Sequence, residues 1–202
     1  MKIKNSERIF FICAIVLNLL VLGLLTAKPL VIQKSAEKNE RILRLKCNLY
    51  DPYDPMKGRY VRLTFDENNK NIKDIQFDEE ILFEDNRKEG ENKSWRIKIP
   101  ALYAVFKNNE EGVSVLKEVT LKKPSENELF IKTPAQYFRN DETIYLDLNF
   151  SKYYMQEEHA DILDKMTRNE FEKLNPVLEI WLSKNGEAIQ KKLVLSEDIF
   201  SE

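Results

Sequence analysis

The one histidine of the chain, His159, stands in Glu157-Glu158-His159-Ala160-Asp161, where an imidazole and carboxylates come together. Such a set can ligate a divalent metal. At helical spacing, however, Glu158 and Asp161 share a face while His159 points elsewhere, and no second histidine exists to complete a site. The acids read more simply as a solvated helix start whose charge complements the helix dipole. A Ser or Cys nucleophile needs a nearby base, and His159 has no partner motif around it. Cys47 alternates with Leu43, Leu45 and Leu49, which places it on the apolar face of a strand as a small core residue. No catalytic residue, metal site or cofactor is therefore assigned, although hydrolysis by carboxylates alone stays open.

The densest local pattern runs from Tyr50 to Tyr60, YDPYDPMKGRY. Each Asp-Pro step holds the aspartate extended and fixes φ at the proline, and Gly58 permits a positive φ just before the next strand. The product is a tight connection carrying two carboxylates, Asp51 and Asp54, and aromatic rings at one end of a sheet. Two oxygen ligands fall short of a calcium site, and turn aspartates accept hydrogen bonds from nearby amides. A second aromatic cluster, Phe150-Ser151-Lys152-Tyr153-Tyr154, precedes Glu157. Its tyrosines suit either a half-wet partner surface or core caps with hydroxyls bonded to backbone.

The elements that must hold these residues follow from composition and periodicity. The chain has 202 residues, 32 basic against 34 acidic side chains, and 2 cysteines. A net charge of -2 argues against nucleic-acid binding, which calls for a basic surplus. The cysteine count excludes a disulfide scaffold. Ile9 to Ala27 offers about 19 uncharged, largely apolar residues, close to the hydrocarbon thickness of a bilayer. The run exceeds the apolar core of a secretory signal, and Leu25-Thr26-Ala27 lacks the small residue a cleavage site wants. It reads as an uncleaved transmembrane anchor. Lys2, Lys4 and Arg8 ahead of it favour an N-terminus in the cytoplasm and a soluble domain outside.

Residues 28–39 read as a linker opened by Pro29, and residues 40–202 as one β-rich domain. Alternation predicts strands at Leu43–Leu49, Arg59–Phe65, Ile72–Phe77, Lys93–Ile99, Leu102–Lys107, Gly112–Leu121, Glu128–Lys132 and Glu142–Phe150. Val177–Ser183 and Ala188–Leu195 flank Asn185-Gly186, a hairpin signal. Met155 to Leu174 carries apolar residues at helical spacing and is closed by Pro176. The fold expected is mainly β: a transmembrane helix, then an antiparallel barrel or sandwich with one covering helix.

Residues Asp51 to Phe65 also resemble the signature of the GDYXXLXY family of membrane-anchored bacterial proteins. Gly58, Tyr60 and Leu63 match directly. Arg59 stands where the family has Asp, and Phe65 replaces the final Tyr. Asp51-Pro52 and Asp54-Pro55 are similar to the family's Asp-Pro segment, and Phe150–Glu157 resembles a later Tyr-rich stretch. The likeness implies a single-pass protein with a β-rich outer domain and no established activity, a partner of a polytopic membrane protein. The function expected is thus a membrane-anchored, non-enzymatic binding or accessory protein of the cell envelope. Its surface would comprise Asp51, Asp54, Gly58, Arg59, Tyr60, Tyr153, Tyr154 and Glu157. The alternative is an envelope hydrolase using acidic residues near the Asp51–Tyr60 turn. Beyond the lipid bilayer and that membrane protein no partner is named; a small-molecule ligand stays unknown.

Overall fold

The computed structural model describes residues 5–49, 60–83, 96–138 and 140–196. After helix α1 (Asn5–Lys38) come β1 (Ile42–Leu49), β2 (Tyr60–Phe65), β3 (Asn69–Asn71) and a 3-10 turn at Ile72–Asp74. Next are β4 (Gln76–Phe77), the one-turn helix α2 (Glu80–Phe83), β5 (Arg96–Asn108), β6 (Ser114–Thr120), β7 (Leu129–Phe138) and β8 (Thr143–Leu146). The chain closes with β9 (Lys152–Tyr154), α3 (Glu157–Asp164), α4 (Arg168–Lys173), β10 (Val177–Leu182) and β11 (Ala188–Val194).

The apolar stretch of α1 is exposed, and the helix is long and apolar enough to cross a membrane. Residues 28–38, read as a linker, continue the same helix. Pro29 removes one backbone hydrogen bond without ending it, because tertiary contacts hold the last turns from the side. Ile32 and Ala36 are buried where α1 packs on β10 and β11, and Lys28 Nζ lies 2.8 Å from Glu187 Oε1. The helix stops where Glu40 turns left-handed, with φ of 52°, and the Arg41 N–H reaches back to the Ala36 carbonyl at 2.9 Å.

The strands form two sheets, in the orders β11-β10-β1-β2-β9 and β3-β8-β7-β5-β6-β4. All neighbours are antiparallel except β4 beside β6. Period-two patterning explains β1, where Leu43, Leu45 and Cys47 are buried on one face. One core takes Leu45, Leu63 and Leu178 from the first sheet and Ile97, Leu102 and Ile144 from the second.

The five-stranded sheet curls until its two outer strands approach each other. The Gln190 side-chain amide on β11 donates to the carbonyls of Phe150 and Lys152, both at 2.9 Å. The Leu193 amide, also on β11, donates to the Tyr153 hydroxyl at 3.2 Å. Side chains thus close the barrel-like curl where no backbone ladder runs among the described residues, and they satisfy groups that an open sheet edge would leave unpaired.

The β5–β6 and β10–β11 hairpins turn in the same way. Asn109 N–H bonds to Val113 O at 2.8 Å, and Ser183 N–H to Glu187 O at 2.8 Å. The side-chain oxygens of Asn109 and Ser183 each accept two further amides of their own turn. Gly112 and Gly186 supply the left-handed residue, with φ of 75° and 78°. Asn185 keeps an ordinary φ, so the Asn-Gly pair sits in a three-residue loop with a glycine bulge and not in the two-residue turn that the dipeptide favours.

Several expectations are modified. Of the strands expected at Lys93–Ile99 and Leu102–Lys107, residues 93–95 lie outside the described residues, and from Arg96 on the two stretches are one strand, β5, whose register shifts between Ile99 and Leu102 around Pro100. In the stretch Ile72–Phe77 the first three residues form a 3-10 turn, and only Gln76–Phe77 are a strand. The helix expected over Met155–Leu174 is broken in two. Thr167 caps α4, its side chain accepting from the Glu170 N–H while the Glu170 carboxylate accepts from the Thr167 N–H. That capping box starts a new helix and ends the old one.

Candidate functional site

The residues singled out in sequence divide sharply by location. Asp51, Asp54, Gly58 and Arg59 lie outside the described residues. Tyr60, Tyr153, Tyr154 and Glu157 are described, and the fold gathers them around the β2–β9 pair. The register sets Tyr60 opposite Tyr154, Val61 opposite Tyr153, and Arg62 opposite Lys152. Alternation then sends Tyr60, Tyr154, Arg62 and Lys152 to one face, and Val61 and Tyr153 to the other.

On the first face the Tyr60 and Tyr154 rings lie 5.7 Å apart, tilted by 54°. Lys152 Nζ stands 5.4 Å from the centre of the Tyr60 ring, within cation–π range. Burial is unequal: Tyr60 is 7% exposed and Tyr154 is 63% exposed. Tyr154 therefore presents an aromatic ring to its surroundings while its neighbour anchors it. On the opposite face Tyr153 is half-buried, with its hydroxyl engaged by Leu193 at the seam. Tyr153 thus has its hydroxyl bonded to backbone, whereas Tyr154 is exposed. Glu157 opens α3, which packs on β2.

The described part of the motif, Tyr60-x-x-Leu63-x-Phe65, coincides with β2. Leu63 and Phe65 face the core, and Phe65 meets Phe150 edge-on at 6.4 Å. Among the described residues the apolar positions of this motif do structural work, holding a central strand of the curl to its neighbours.

Cys47 is buried, and burial pushes its thiol up to about 12, so it stays protonated and unreactive at neutral pH. Among the described residues no group of three or more His, Cys, Asp or Glu side chains could hold a metal.

Two polar clusters escaped the sequence reading. Glu179, in the middle of β10, faces Arg44 Nε at 3.0 Å and Lys191 Nζ at 2.7 Å, and is nearly buried. Burial alone would raise its carboxyl, but these two cations outweigh it and hold the group below the usual carboxylate range. The signal was an acid inside an otherwise apolar strand, set opposite Arg44 by register.

The second cluster surrounds Arg41, whose guanidinium is buried and donates to the carbonyls of Glu126 and, at 2.9 Å, Glu128. Burial lowers its pKa, opposed in part by the charge of Glu126. A polar cleft of about 450 Å³ opens beside it, lined by Asn39, Glu40, Glu126, Asn127 and Lys184. Its charges are largely spent internally: Arg41 clamps carbonyls, and Lys184 pairs with Glu126 at 3.2 Å. This arrangement ties the end of α1 to the β6–β7 connection.

Neither a curated protein nor a solved structure matches the chain significantly. Residues 21–193 do match the model of one family, described as GDYXXLXY protein, over most of the sequence. With the match extending over so much of its length, the chain belongs to the GDYXXLXY family.

Proposed function

We propose that the protein is a membrane-anchored binding or accessory component of a bacterial cell envelope, with its β domain outside the cytoplasm and no chemistry of its own. The observation that carries this reading is the Tyr60–Tyr154 patch. A ring 63% exposed, supported by a buried ring and flanked by Lys152, is the kind of amphipathic, pre-ordered surface that protein partners use. The exposed apolar length of α1 supports the anchor, and the basic residues before it support export of the domain. The partner that fits is another protein of the same membrane.

The test is Tyr154→Ala in the full-length chain, with co-purified proteins quantified from solubilised membranes. Truncating an aromatic anchor at an interface costs roughly 1–3 kcal/mol, a loss of about tenfold to a hundredfold in affinity. Partner recovery is expected to fall accordingly while the melting temperature of the domain stays within about 2 °C, as suits a substitution at an exposed position. An unchanged partner set in a folded variant would overturn the proposal. Turnover of a defined envelope substrate by the wild-type domain would also overturn it.

A further inference from the structure

The apolar stretch of α1 contains two polar side chains with different fates. The Thr26 hydroxyl is absorbed by its own helix, bonded to Leu22 O at 3.0 Å and Gly23 O at 3.1 Å. Asn18 Nδ2 donates to Ala14 O at 2.9 Å. Its second N–H and its Oδ1 have no partner among the described residues. Asn18 lies near the middle of the span, about 14 Å from either end at 1.5 Å per residue. At that depth no water is available to a carboxamide, and an unpaired polar group is costly.

Regular helical geometry relates the direction in which Asn18 points to the residues docked on the domain below it. At 3.6 residues per turn, Ala36 is five full turns along from Asn18 and Ile32 is about 40° to one side. These are the two α1 residues buried against β10 and β11. The domain therefore hangs beneath the Asn18 face, which also carries Leu22 and Leu25. Val16 and Leu20 lie on the far side of the helix.

This alignment selects the occupant. A second copy packed in parallel on the Asn18 face would stand about 8–10 Å away. Its own residues 28–38 would then run through the space filled by β10 and β11. A helix that ends or turns at the membrane surface meets no such obstacle.

We propose that the Asn18 face of α1 receives a transmembrane helix of a different membrane protein, one that presents a hydrogen-bonding group at the depth of Asn18 and terminates above the β domain. The proposal rests on the membrane-anchored reading and adds to it the face, the depth and the exclusion of self-association.

The test places a photoreactive benzophenone side chain, one position at a time, at Leu22 or Leu25 and at Val16 or Leu20 of the full-length chain in its native membranes. Adducts with one other membrane-integral protein, several-fold stronger at 22 and 25 than at 16 and 20, are expected. Asn18→Leu should reduce the adduct at 22 several-fold, and Asn18→Gln should restore most of it. Adducts with a second copy, equal labelling around the helix, absence of protein adducts, or indifference to Asn18→Leu would each overturn the proposal. Alkaline carbonate washing separates the two levels. A chain released into the supernatant refutes the anchored reading itself, whereas a retained chain without face preference refutes only this inference.

Discussion

Replacing Gly186 with alanine tests how the tip of the β10–β11 hairpin is held. Gly186 and Gly112 occupy the same place in two turns of one design, with φ of 78° and 75°. Forcing a Cβ into the left-handed region costs about 1 kcal/mol, and that cost is common to both. Their surroundings differ. A Cβ on Gly112 meets nothing nearer than Arg44 Nη1 at 3.9 Å, an ordinary contact. On Gly186 it would fall 2.8 Å from Phe130 Cε2 and 2.9 Å from the Lys132 amide nitrogen. Neither obstacle can yield cheaply. The Phe130 side chain is fully buried, and the Lys132 amide donates to the Gly186 carbonyl at 3.0 Å. Overpacking adds roughly 1–3 kcal/mol, and loss of that hydrogen bond adds about 1 kcal/mol. Gly186→Ala should therefore cost roughly 2–4 kcal/mol more than Gly112→Ala. For a chain of this size, about 2–4 °C per kcal/mol puts the two melting temperatures some 5–15 °C apart. Thermal unfolding of both full-length variants in one detergent, followed by far-UV circular dichroism, makes the comparison. Melting temperatures within about 2 °C of each other would show that the hairpin tip pulls away from β7 freely, and the packing argument would fail.

Two further outcomes follow from the seam and from the buried acid. Tyr153→Phe removes the hydroxyl that accepts the Leu193 N–H. Stability should drop by about 1 kcal/mol, and hydrogen exchange at the Leu193 amide should speed up well beyond the global change; an unchanged exchange rate would mean that the strands do not meet there. Glu179 titrates below its ordinary value of 4.5, so the stability it confers is in place above that pH and fades as pH falls through the lowered value in the folded chain. Glu179→Gln should therefore destabilise the protein at pH 7 and flatten its loss of stability below pH about 4.5; parallel acid limbs in denaturant titrations would count against the ion cluster.

The parts of this fold legible in sequence are those set by local periodicity. The alternation of Leu43, Leu45 and Cys47 gave β1 its buried face, and the charge-free run gave α1 its exposed one. Misreadings arose where non-local contacts overrode a local breaker. Pro29 looks like the end of a helix, yet Ile32 and Ala36 dock on β10 and β11 and carry the helix on to Lys38. Pro100 looks like a gap between strands, yet the pairing of β5 with β7 resumes after a register shift. Conversely, Thr167-x-x-Glu170 was a readable start signal lost within a longer apolar rhythm.

The candidate surface was half legible. Tyrosine clusters flagged both strands, but only the β2–β9 register brings Tyr60 to Tyr154 and turns Tyr153 away. The Gln190 bridge to Phe150 spans 40 residues of sequence and leaves no local trace.

The unbroken passage of α1 into its dock on β10 and β11 has a mechanical consequence. A loose tether would let the β domain wander over a hemisphere, whereas a stiff stem fixes both its standoff and its heading. With the stem seated in lipid, a 10° change of tilt would swing a point 30 Å from the pivot by roughly 5 Å, and tilt follows bilayer thickness. The domain would then behave as the pointer of a gauge, converting the thickness of its surrounding membrane into the position of its outer surface.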